Sequence, residues 1–122
     1  MRQFLLVILF LVSTGCASDD SLYNLKEGRT STSIVSEKTH SMYPTYVGGE
    51  TVIIRKEKFD NVKVGDIIIY RNYQNYNVDY VIHRVIWRDS ESLICKGDNN
   101  GYIDEHPIFK CHYIGTAIGV KY

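Results

Sequence analysis

Between residues 33 and 121 the chain is a succession of short runs rich in β-branched and aromatic residues, each cut off within a few positions by glycine, asparagine or aspartate. No run carries the apolar stripe at three- and four-residue spacing that an amphipathic helix needs. The pattern predicts strands over residues 33–37, 50–56, 66–70, 80–88, 92–96 and 113–121. Between them stand Gly48-Gly49, Lys63-Val64-Gly65, the Asn/Tyr-rich segment 72–78, Asp89-Ser90 and the turn at 98–101. The expected fold is a small, mostly antiparallel β domain, open or partly barrel-like.

A length of 122 residues leaves room for one compact domain and a modest core. Fourteen basic against fourteen acidic side chains provide no basic stripe, so a nucleic-acid partner is not expected. An ordinary apolar content of 44% argues against disorder.

The amino terminus follows export-signal grammar: Arg2, an apolar run at residues 4–12, then small residues up to Cys16. The uncharged window is shorter than the roughly 20 apolar residues of a membrane-spanning helix. Ser13-Thr14-Gly15-Cys16 resembles the lipobox of bacterial lipoproteins, although Ser13 stands where leucine is usual. That resemblance implies lipidation at Cys16; a short uncleaved anchor and a conventional cleavage site are the other readings. Residues 1–15 are thus read as a signal or anchor, 16–33 as a polar tether and 34–122 as the functional domain, carried on a membrane and facing the extracytoplasmic side. In such an oxidising compartment Cys95 and Cys111 either form a disulfide or remain two buried thiols.

Four blocks carry the chemistry: Thr39-His40-Ser41-Met42-Tyr43-Pro44-Thr45, Gly65-Asp66-Ile67-Ile68-Ile69-Tyr70, Val81-Ile82-His83-Arg84-Val85-Ile86, and Lys96-Gly97-Asp98-Asn99-Asn100 with Asp104 beyond. A serine hydroxyl becomes a nucleophile only when a base accepts its proton and a third group orients that base. Ser41 is the candidate nucleophile, and Pro44 restricts the backbone just after it. His83 is the candidate base. Asp98 and Asp104 are candidates for the orienting role, with Asp104 preferred and Asp98 shaping the turn. Cys95, His106, Cys111 and His112 lack zinc-site spacing, so no metal or other cofactor is expected.

In this order the blocks resemble the catalytic boxes of type I signal peptidases, in the archaeal and endoplasmic-reticulum branch that uses histidine rather than lysine as base. The resemblance spans residues 34–120 and implies the family's small β fold, which self-cleaving repressors share with a lysine base. It also implies an extended peptide substrate bound by strand addition, small side chains before the scissile bond, and an oxyanion held by the Thr39 hydroxyl and the Ser41 backbone N–H. His40 stands where the family usually has glycine, which bears on the level of activity. The resulting expectation is a membrane-associated serine endopeptidase that cleaves leader peptides. The alternatives are a maturation peptidase for one partner and a catalytically silent peptide-binding lipoprotein.

Overall fold

A computed structural model of the chain describes residues 24–72 and 79–121. They form seven strands: β1 (Thr30–Ile34), β2 (Thr51–Arg55), β3 (Ile67–Asn72), β4 (Asp79–Arg88), β5 (Ser92–Lys96), β6 (Ile108–Phe109) and β7 (Tyr113–Lys121). All pair antiparallel in a single sheet of order β1-β2-β7-β3-β4-β5-β6. The sheet is not closed into a barrel. The last strand, β7, lies between β2 and β3 and joins the first pair to the meander that follows.

Period-two alternation divides the apolar residues between two faces. On one face Ile68, Tyr70, Val85, Leu93, Cys95 and Tyr113 pack with Phe59 of the short 3₁₀ segment Phe59–Asn61 and with Val62, which follows it. On the other, Val52, Ile54, Ile69 and Ile114 pack with Met42 and Tyr46. Strand β3 sits in the middle of the sheet, and its Ile68, Ile69 and Tyr70 are buried on both sides. Burying each such aliphatic side chain contributes about 1.5–3 kcal/mol.

Alternation along β4 holds from Val81 through His83 to Val85, after which the register with β5 shifts between Val85 and Trp87. That bulge turns Ile86 and Trp87 outward, so Trp87 does not share the buried face of His83.

Three features differ from the expectations. The first strand begins at Thr30, inside the stretch read as tether, because Thr30-Ser31-Thr32-Ser33 pairs with β2 as an edge strand despite its polarity. The two-residue β6 is too short to leave a periodic signal. Cys95 is a free thiol, not bridged to Cys111. Its side chain is 0% exposed in the first core cluster, whereas Cys111 occupies the partly exposed turn between β6 and β7. Tyr70 is a core residue and Tyr80 is half-buried; Tyr73 and Tyr76 lie outside the described residues. So do the apolar run 4–12 and Cys16. Among the described residues, no helix is long and apolar enough to cross a membrane.

Candidate active site

Two adjacent residues of β4 organise the site, because the pleat sends them to opposite faces. His83, 8% exposed, points to the face of Val85 and Tyr70. Its Nδ1 lies 2.8 Å from Oδ2 and 2.9 Å from Oδ1 of Asp104. A carboxylate only accepts, so Nδ1 carries the proton and Nε2 is left as the acceptor. Asp104 is fixed from two further directions: its backbone N–H donates to the Cys95 carbonyl at 2.8 Å, and the Tyr70 hydroxyl donates to Oδ2 at 2.5 Å. Burial, reinforced by the Asp104 carboxylate, pushes the Tyr70 phenol well above its ordinary range, so it stays a donor. Burial also pushes the Cys95 thiol up to about 12.

Arg84, on the other face, grips the second aspartate. Its Nε donates to Asp98 Oδ1 and its Nη2 to Oδ2, each at 2.8 Å, while Nη1 donates to the Gly65 carbonyl at 2.9 Å. The Thr45 hydroxyl donates to the same Oδ2 at 2.6 Å. Asp98 therefore ties the loop of residues 39–47 to the strand that carries His83. The Arg84 hydrogen bonds hold the Asp98 carboxyl below the usual carboxylate range; burial opposes them, and Thr45 adds to them.

A carboxyl depressed in this way contributes stability above its unfolded value, near 3.8, and loses it as pH falls through the lower folded value. The loop anchor is accordingly intact at neutral pH and is lost only in strong acid. Asp98→Asn is expected to flatten the acid limb of the stability curve, read as melting temperature between about pH 2 and pH 7.

Ser41 is held by its backbone. Its carbonyl accepts the Asn99 N–H at 2.8 Å, and the next side chain, Met42, is buried in the second core cluster, with its sulfur accepting the Asp98 N–H at 3.4 Å. The Tyr43-Pro44 peptide bond that follows is cis. The pairing of β4 with β5 ends at Arg84 opposite Lys96; carried one step further, that register brings Gly97 beside His83.

A Cβ on Gly97 would lie 2.7 Å from the Ser41 carbonyl oxygen, so only glycine lets the serine loop approach so closely. Gly97→Ala is expected to shift Ser41 and lower the rate of peptide cleavage by about 100-fold while the melting temperature changes little. An unchanged rate would show that the approach is not required.

The four blocks thus come together around the middle of β4, with Asp98 and Asp104 bound to different partners. Among the described residues, no hydrogen bond joins the Ser41 hydroxyl to His83; in unliganded enzymes such bonds are often long and tighten with substrate. Thr39 and His40 are exposed at the start of the loop. A cleft of ≈ 380 Å³ opens onto the His83/Asp104 pair, lined also by Tyr70, Val81, His106 and Ile108.

The sequence profile of the family described as "Signal peptidase, peptidase S26" matches residues 29–113, a span that contains all four blocks. The chain belongs to the signal peptidase family. The match begins one residue before β1. Membership makes the chain one of a family of serine peptidases whose substrates are peptides. No curated protein and no solved structure matches.

The sequence reading passed over Arg84, Thr45 and Tyr70, the side chains that hold the two aspartates of the signal peptidase domain. Tyr70 carried a usable signal: it is two residues from Ile68 on the strand expected over residues 66–70, which puts both side chains on one face.

Proposed function

We propose that the chain is a membrane-associated serine endopeptidase that cleaves leader peptides through an acyl-enzyme at Ser41. The observation that carries the reading is the contact between His83 and Asp104, which come from different blocks of the sequence and leave the imidazole Nε2 as a proton acceptor. The proposal places this chain in the histidine-using branch of the family. The Ser41 hydroxyl gives its proton to Nε2 as Oγ bonds to the scissile carbonyl carbon, and the carbonyl oxygen becomes an oxyanion. The Ser41 N–H and the Thr39 hydroxyl bind that oxyanion. On collapse, the C–N bond breaks and the departing amine takes the proton from His83. Water, deprotonated by His83, then releases the acyl group and restores Ser41.

Two further observations support the reading. Strand β5 covers β4 only from Arg84 onward, so residues 80–83 offer main-chain groups on that side to an extended peptide, in the manner of strand addition. The apolar run at residues 4–12 and Cys16 suit delivery to an extracytoplasmic membrane face.

The test is cleavage of leader-bearing precursors by the full chain in detergent micelles, with the new amino terminus sequenced. Cleavage after a small residue is expected. Binding of the precursors without turnover would overturn the enzyme reading in favour of a silent peptide-binding protein.

A further inference from the structure

The Tyr70 hydroxyl has no role in the chemistry above, yet it is buried and makes one of the shortest side-chain contacts in the domain. It is 2.5 Å from Asp104 Oδ2, the same oxygen that lies 2.8 Å from His83 Nδ1, and the residue is 4% exposed. We propose that Tyr70 is a positioning residue of the catalytic site, its hydroxyl sharing one carboxylate oxygen of Asp104 with His83. This inference rests on the roles assigned above to His83 and Asp104.

Two physical consequences follow from the sharing. A carboxylate held only by the imidazole can rock between its two oxygens, both of which lie within 2.9 Å of Nδ1. The phenol donor, fixed on the central strand β3, anchors Oδ2 and so sets the plane in which the ring is held. A second donor also draws charge from the carboxylate, which then stabilises the imidazolium less than an unshared carboxylate would. Tyr70 thereby takes a share of the Asp104 charge that otherwise faces the imidazole alone.

The other titratable or charged groups around the pair are Cys95 on β5, Arg71 on β3, Glu105 and His106 after Asp104, and His112 ahead of β7. Tyr70→Phe alters none of them. It retains the ring in the core and removes one oxygen, so a change in the pH profile reports the lost donor.

The experiment compares the full chain and Tyr70→Phe in precursor cleavage across pH, together with the downfield Nδ1–H proton resonance of His83. The expected result is a kcat about tenfold lower with KM within about twofold. The acid limb of kcat/KM should move to higher pH, and the Nδ1–H resonance should move downfield as the unshared carboxylate binds it more strongly. In an Asp104→Asn background the same substitution should alter kcat by less than about twofold, because the two residues act as one unit; a merely structural tyrosine would cost the same in both backgrounds.

An unchanged pH profile and resonance in an active parent would overturn the inference. An inactive parent whose resonance still moves would sink the enzyme reading while leaving the positioning role of Tyr70 in place. An unmoved resonance in an inactive parent would remove both.

Discussion

Ser41→Ala is expected to abolish precursor cleavage, with kcat falling by roughly 10⁶-fold as it does when a serine peptidase loses its nucleophile. The size of the effect follows from the chemistry. Without Oγ there is no acyl-enzyme, and whatever acceleration remains comes from the oxyanion donors and from binding alone. The substitution should not disturb the fold, because the loop is held through groups that alanine keeps: the residue 41 carbonyl on the Asn99 N–H, the Met42 side chain in the core and Thr45 on Asp98. Peptide affinity should therefore persist in the variant, measured by binding of a fluorescent leader peptide beside the loss of turnover. A variant that retains more than about one hundredth of the parent rate would mean that Ser41 is not the nucleophile.

Asp104→Asn should give the second-largest loss, about 10⁴-fold in kcat with little change in KM. Asparagine fits the space of the carboxylate but offers an N–H as well as an oxygen. An amide N–H that faces Nδ1 favours the imidazole tautomer protonated at Nε2. That tautomer cannot take the proton of Ser41. Asp98→Asn makes a useful contrast, because Asp98 contacts Arg84 and Thr45 rather than His83. It should weaken the loop anchor and lower activity far less than Asp104→Asn. Equal losses in the two variants would show that the two aspartates do not divide the work in this way.

The fold was largely legible in the sequence because its strands are short, apolar on alternate positions and closed by glycine or aspartate turns; β5 and β7 span residues 92–96 and 113–121, the bounds the spacing predicted. The failures have physical causes. Strand β1 looks like linker because an edge strand needs backbone pairing more than apolar side chains, and β6 is too short to show a period. The bulge after Val85 is a backbone event with no residue signature, so simple alternation along β4 does not reveal that Trp87 turns outward.

Within the site, Ser41, His83 and the two aspartates stood out through block order. The contacts that separate the aspartates did not, because Asp98 and Asp104 are only a few residues apart in one turn-rich segment and nothing in that segment says which faces which side of β4. Of the two readings left open for Cys95 and Cys111, the bridge between them is the one the free Cys95 thiol excludes. Parity of cysteines says nothing about direction, and Cys95 points into the packed core.

The two neighbouring residues His83 and Arg84 carry one further consequence. Each takes hold of a different aspartate, and what separates the two grips is the rise of a single pleated peptide unit. The alignment between the His83/Asp104 pair and the Ser41 loop is therefore written in the register of one strand. A one-residue slip of β4 would send both side chains, and buried Val85 with them, to the opposite faces, so the arrangement of the site and the packing of the sheet stand or fall on the same register.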